Sequence, residues 1–138
     1  MNRCIKIAYS ILFLLLTTVA HADPAHVMLD GYRKQAKANS STFTDFSAER
    51  GRSFFAQTHP SKTGEISCAT CHTNDPRKMG RTRANKDIEP LAPSANSKRF
   101  ADPAKVEKWF IRNCDDVLER LCTAGEKGDF IVYLLSVK

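Results

Sequence analysis

Apolar residues return at helical spacing in several stretches of the chain. In Ala25–Ala38, Met28, Leu29, Tyr32 and Ala36 recur one turn apart with Asp30, Arg33 and Lys34 elsewhere, which predicts a short amphipathic helix. The polar run Asn39-Ser40-Ser41-Thr42 breaks it. Ser47 is placed to cap a second helix reaching about Gln57, with Gly51, Phe54 and Phe55 on it. Asp102-Pro103 joins an N-cap to a proline at the first helical position and predicts a third helix to about Asn113. Thr123-Ala124-Gly125-Glu126 has capping-box spacing and opens a last helix, with Phe130, Ile131, Leu134 and Leu135 on one side. The reading is all-helical, and no internal repeat is present. Between the helices, residues 73–101 are poor in apolar side chains and carry Pro76, Pro90 and Pro93. So long an irregular stretch does not suit a compact domain whose core is protein alone.

The first 22 residues follow a different pattern. Arg3 and Lys6 precede an apolar run from Ile7 to Ala20, broken only by Tyr9, Ser10, Thr17 and Thr18, and Ala20-His21-Ala22 follows before Asp23. A charged start, an apolar middle and a small-x-small end read as a secretory signal peptide. The run is shorter than the roughly 20 residues a bilayer-spanning helix needs. The expected mature chain is Asp23–Lys138, one domain, exported to the periplasm and not membrane-embedded.

The whole chain has 138 residues, 26% of them charged, and a formal charge of +6. Removing residues 1–22 takes away Arg3 and Lys6 and no acid, so +6 falls to +4. That is too mild and too evenly spread to argue for nucleic acid.

Removing the leader also removes Cys4 and leaves Cys68, Cys71, Cys114 and Cys122. The first pair belongs to Cys68-Ala69-Thr70-Cys71-His72, and C-x-x-C-H is the covalent haem attachment pattern. Two thiols three positions apart can add to the two vinyl groups on one edge of the macrocycle. The histidine after the second thiol then lies under the iron. Attachment outside the cytoplasm agrees with the leader. A zinc site would need a second pair of ligands at metal spacing, which Cys114 and Cys122, eight apart, do not supply. A thioredoxin-like pair would need a βαβ setting, and none is found. With one covalent haem c as part of the core, residues 73–101 can wrap it. Ile88, Leu91 and Phe100 then read as pocket lining, and Trp109 and Phe110 as core or pocket wall, although a tryptophan N–H can reach a propionate.

The chain resembles class I c-type cytochromes, with four to five short helices around one covalently bound haem. Gly51-Arg52-Ser53-Phe54-Phe55 matches that class's first helix, a glycine followed four residues later by an aromatic. Asp129-Phe130-Ile131-Val132-Tyr133-Leu134-Leu135 matches the C-terminal helix it crosses. The class normally supplies a methionine as sixth iron ligand from a loop well beyond the haem motif. Here Met79 is the one methionine after His72, no histidine follows, and Pro90-Leu91-Ala92-Pro93-Ser94 has leucine where a ligand methionine would stand. Seven extended residues span at most ~25 Å, barely enough for Met79 to round the disc and reach its far face.

The second half is similar to a narrower group, the sphaeroides haem protein family of oxygen-binding class I cytochromes. The carrying segments are Cys68–Thr73, Pro90–Ser94, Asp102-Pro103-Ala104-Lys105-Val106-Glu107-Lys108-Trp109-Phe110-Ile111-Arg112-Asn113-Cys114, and Cys122–Phe130. The resemblance implies Asn113 as sixth ligand, a disulfide between Cys114 and Cys122, and a dihaem cytochrome c and a membrane cytochrome b as redox partners. A disulfide tolerates at most about 7 Å between Cα atoms, and one continuous helix would hold residues eight apart ~12 Å from each other. The third helix is therefore expected to break near Asn113–Cys114.

Five cations, Arg77, Lys78, Arg81, Arg83 and Lys86, crowd one short loop. Most read as solvated, with Arg81 or Arg83 a candidate partner for a haem propionate and the rest a docking face for a redox partner. His26 and His59 read as surface histidines. The leading function is a periplasmic monohaem cytochrome that transfers electrons and binds small diatomic ligands at iron. The alternative is a conventional electron carrier that uses Met79. A peroxidase or oxygen reductase would want an acid/base group over the distal face, and no sequence feature places one there.

Overall fold

The computed structural model describes residues 23–61 and 64–138, so the leader lies outside the described residues. Five helices make the frame: α1 (Pro24–Asn39), α2 (Ala48–Ala56), α3 (Cys68–His72), α4 (Pro103–Leu118) and α5 (Ala124–Ser136). Two small antiparallel hairpins join them. β1 (His59–Ser61) pairs with β2 (Gly64–Ile66), and β3 (Gly80–Arg81) pairs with β4 (Asp87–Ile88). The all-helical expectation thus gains four strands, each too short to leave an alternating pattern in the sequence.

Helix starts follow from local chemistry. Asp23 accepts the Ala25 N–H at 3.0 Å and Pro24 follows it. Ser47 Oγ accepts the Arg50 N–H, and Asp102 Oδ1 accepts the Lys105 N–H at 3.0 Å. On α5, Thr123 Oγ1 accepts the Glu126 N–H while Glu126 Oε2 accepts the Thr123 N–H, a reciprocal capping box. The end of α4 is displaced from its expected place. It does not break near Asn113–Cys114 but runs on to Leu118 and stops at Glu119, in the left-handed region at φ 55°. Neither glycine nor proline marks that stop, which removes the usual sequence signal.

The helices α1 and α2 both pack on α5. At the α2–α5 crossing a Cβ on Gly51 would lie 2.0 Å from the Asp129 carbonyl oxygen, so only glycine allows the approach. The buried Asp129 carboxylate reaches back across the same crossing. It accepts the Ser47 N–H at 2.7 Å and the Arg50 guanidinium at 2.7 and 2.9 Å, adding charge-assisted bonds to the α2 N-terminus. Phe55 stacks between Phe130 and Tyr133, and Phe110 of α4 meets Phe130 edge-on at 5.5 Å. Phe55, Ile131 and Leu134 are fully buried, each contributing about 1.5–3 kcal/mol of transfer free energy. Glu107 of α4 accepts from Tyr32 of α1 and from Lys127 of α5, tying three helices at one carboxylate.

Candidate haem-attachment site

The residues that carry the chemistry lie on a single helical turn. Ile66 and Ser67 are buried just before it. The Ser67 N–H donates to Thr70 Oγ1 at 2.9 Å, which fixes the start of α3. Cys68 and Cys71, three apart, share one side of that turn. Both are half-buried free thiols. Burial pushes the Cys68 thiol up to about 11. His72 follows at the end of the turn. Burial, helped by the charge of Arg99, lowers its imidazole to about 4, so at neutral pH it is in the uncharged form that a metal ligand must take.

Residues 73–101 double back on this turn. A Cβ on Gly80 would lie 2.3 Å from the Cys71 carbonyl oxygen and 3.0 Å from the His72 Cα. That close approach holds Met79 beside α3, on the chain next to His72, where it is 53% exposed. The Pro76 carbonyl accepts the N–H groups of Leu91 and Ala92 at 2.8 and 2.9 Å. Leu91 and Phe100 are buried in the main core, while Ile88 on β4 is half-buried. Arg81 is engaged across its own hairpin with Asp87 at 3.0 Å and Asn85 at 2.9 Å, and Arg83 is exposed.

Helix α4 buries Phe110, Cys114 and Val117. Trp109 and Asn113, one turn apart, lie together on a different face. Trp109 is 42% exposed, so it is not part of the protein core, and the Arg112 guanidinium stands over its ring at 5.6 Å. Asn113 is exposed, and its side-chain amide makes no hydrogen bond among the described residues. Cys114, the next residue, is joined to Cys122 by a disulfide with Cα atoms 5.6 Å apart. The bridge closes over the helix end at Glu119, later in the chain than expected.

Two residues matter here that sequence reasoning undervalued. His59 is not a surface histidine: its Nε2 is buried and has no hydrogen-bond partner among the described residues. It faces Ile66 across the β1–β2 hairpin, two residues from Cys68, and β1 lies along α4. Arg99 is half-buried and donates to the carbonyls of Glu89 and Pro90. Partners that are main-chain carbonyls leave no mark in a sequence, so Arg99 carries no motif. His26, by contrast, is exposed beside Asp23 as read.

These side chains fit a covalent haem. Two free thiols stand one turn apart, a neutral imidazole follows, and a buried imidazole nitrogen nearby lacks a partner. A zinc reading does not fit, because among the described residues no three metal-binding side chains gather. No described helix is long and apolar enough to cross a membrane.

Residues 41–134 match the family described as a domain of unknown function (DUF1924). The chain is 42% identical over 130 residues to cytochrome c-type protein SHP of Cereibacter sphaeroides, covering 88% of this chain and 95% of that protein. It is 36% identical over 136 residues to cytochrome c'' of Methylophilus methylotrophus, covering 96% and 94%. The fold agrees with the crystal structure of oxidised cytochrome c'' from M. methylotrophus at a TM-score of 0.77 and 37% identity, over 83% of this chain and 95% of that one. It agrees with oxidised SHP, described as an oxygen-binding cytochrome c, at 0.71 and 44% identity, over 81% and 95%. The likeness thus runs through the attachment turn, the α4 segment and the frame that holds them: the chain belongs to the DUF1924 family and is a relative of SHP and cytochrome c'', c-type cytochromes with covalently bound haem c.

Proposed function

We propose that the chain is a periplasmic electron carrier in which His72 and Asn113 hold the two axial positions of ferric haem iron, and that Asn113 yields its position to a diatomic ligand, oxygen or nitric oxide, on reduction. Bound at Cys68 and Cys71, the haem supplies a one-electron couple and an axial position open to exchange. The observation that carries the reading is the Asn113 amide: free of hydrogen bonds, beside Trp109, and next to a backbone pinned by the Cys114–Cys122 disulfide. An amide oxygen is a hard, weak, neutral donor that suits ferric iron, and ferrous iron prefers softer ligands. Reduction would therefore weaken the hold of Asn113, and the Cys114–Cys122 bridge would keep the main chain in place while the side chain turned away. SHP, described as oxygen-binding, supports the same reading.

The alternative ligand, Met79, is held beside His72 by the contact of Gly80 with Cys71. Met79 is thus tied to the same turn that would supply His72, whereas Asn113 sits on a separate helix, which supports Asn113 as the second residue that would hold the iron. For electron transfer, Lys78, Arg83 and Lys86 are exposed and make no ion pair among the described residues, whereas Arg77 is paired with Asp75 and Arg81 with Asp87. Three free cations near the attachment turn fit a small, charge-steered contact with a redox partner, for which a dihaem cytochrome c linked to a membrane cytochrome b is the family expectation.

The test is optical. Asn113→Ala should keep the haem attached, change the ferric spectrum and speed carbon monoxide binding to the reduced protein. An unchanged ferric spectrum in Asn113→Ala, with a changed one in Met79→Ala, rejects the asparagine and the gas-binding reading together.

A further inference from the structure

Among the described residues, His59 Nε2 is the one buried side-chain nitrogen or oxygen without a hydrogen-bond partner. The residue is half-buried and this nitrogen wholly so. A buried polar group left unpaired forfeits the bonds it makes to water in the unfolded chain. Native proteins therefore give such groups a partner, and no described side chain or carbonyl does so here.

Where the nitrogen lies follows from the hairpin. Directly opposite residues of an antiparallel pair point to one face, with Cβ atoms about 5 Å apart. His59 is opposite Ile66. Ile66 is buried, whereas Pro60, next along β1, is exposed. The imidazole thus shares the inner face of the hairpin with a side chain two positions from Cys68. The same strand lies along α4, the helix that carries Trp109 and Asn113. His59 therefore stands between the attachment turn and the helix of the proposed sixth ligand.

A haem held by Cys68 and Cys71 brings two kinds of oxygen acceptor. Its propionates stand on the edge opposite the two vinyl groups, away from the thiols and from a side chain beside Ile66. The other acceptor is an oxygen atom of a diatomic ligand at the iron. We infer that His59 is a ligand-stabilising residue, whose Nε2–H donates to the diatomic ligand that takes the position Asn113 gives up. The inference rests on the reading that Asn113 yields that position. A neutral imidazole carries one N–H, and a partner at Nε2 fixes the proton there. As a haem ligand, oxygen gathers negative charge on its outer atom and carbon monoxide gathers almost none. A fixed donor in a water-excluded site acts on developed charge. His59 therefore slows the release of oxygen and sets a preference for oxygen over carbon monoxide.

The experiment measures oxygen and carbon monoxide release from the haem-loaded, reduced wild type, His59→Leu and His59→Gln, and reads the C–O stretch by infrared. His59→Leu keeps bulk and removes the donor. It should release oxygen roughly tenfold faster, leave carbon monoxide release nearly unchanged, and raise the C–O stretching frequency. His59→Gln, which keeps an N–H donor, should stay nearer to wild type in all three. If His59→Leu loads haem poorly, His59→Phe takes its place, since it keeps a ring without the nitrogen. The inference fails if the donor-free variant releases oxygen at the wild-type rate, if oxygen and carbon monoxide release rise together, or if the C–O stretch stays where it was. A changed reduction potential with unchanged gas release would assign the bond to a propionate and overturn it as well. Failure of the underlying reading looks different: the reduced wild type would show no spectral change on adding carbon monoxide.

Discussion

At the scale of single residues, the glycines separate by what a methyl group would meet. Gly51 faces the Asp129 carbonyl oxygen at 2.0 Å and the Tyr133 Cβ at 2.8 Å, both on the packed face of α5. Backbone cannot swing aside there, so Gly51→Ala should destabilise the protein by about 3 kcal/mol. Gly31 on α1 has nothing within 4 Å, and Gly31→Ala should instead stabilise it by about 0.5–1 kcal/mol through helix propensity alone. Chemical denaturation of the two haem-loaded variants, read beside wild type, checks both signs at once. Gly51 was legible because its spacing from Phe55 matches a crossing helix. His59 was not, because its burial depends on a hairpin with three residues per strand. Cys68, Cys71 and His72 stand out in the sequence because covalent attachment confines its requirements to five consecutive positions, and the structure places all three on one helical turn.

At the scale of elements, the disulfide and the end of α4 form one device. The helix carries Asn113 and Cys114 in its interior and stops only at Glu119, one turn beyond the half-cystine. Glu119 holds φ 55° without being glycine. That conformation costs a residue bearing a Cβ about 1–2 kcal/mol, and the bridge to Cys122 limits what the chain can do instead. Replacing both Cys114 and Cys122 by serine should leave haem attachment intact and cost about 2–3 kcal/mol by loop-closure entropy. If Asn113 ligates the iron as proposed, the double replacement should also broaden the ferric spectrum, because the backbone next to Asn113 is no longer pinned on its far side. Thermal unfolding followed in the haem band measures the first effect, and the ferric spectrum the second. An unchanged spectrum in a destabilised variant would restrict the bridge to a structural role. The starts of α1, α2, α4 and α5 were readable because each is set by one capping side chain and its own next turn. The end of α4 was not, because its stop comes from a tertiary constraint imposed on a residue with no preference for it.

At the scale of the whole molecule, three helices converge on the carboxylate of Glu107. The Tyr32 hydroxyl and the Lys127 ammonium both donate to it, and Lys127 also lies over the Tyr32 and Phe110 rings at 5.4 and 5.8 Å. The Lys127 side chain is only 13% exposed, whereas Glu107 is 40% exposed. Burial acts to raise the Glu107 carboxyl, but its bonds to Lys127 and Tyr32 outweigh burial and hold it below the usual carboxylate range. Burial, with the nearby Glu107 charge, raises the Tyr32 phenol. The signs follow by linkage. A depressed carboxyl contributes stability above its unfolded value near 4.3, and loses it as pH falls through the lower folded value. A raised phenol contributes stability below about pH 10, which is lost as pH climbs through the folded value. Glu107→Gln leaves the Lys127 ammonium without its counter-charge. It should cost about 1–2 kcal/mol at pH 7, a figure reduced from that of a fully buried pair because Glu107 is partly solvated. The same variant should show a flatter loss of stability below about pH 4.3 than wild type, since the group that titrates there is gone. Tyr32→Phe should cost about 1 kcal/mol by removing one donor and should leave the acid limb steep, because Lys127 still depresses the carboxyl. Denaturant midpoints across pH for the three proteins decide it. Parallel acid limbs for wild type and Glu107→Gln would remove Glu107 from the acid response and pass that role to other depressed carboxyls such as Glu126, which Arg120 and Thr123 hold down against burial.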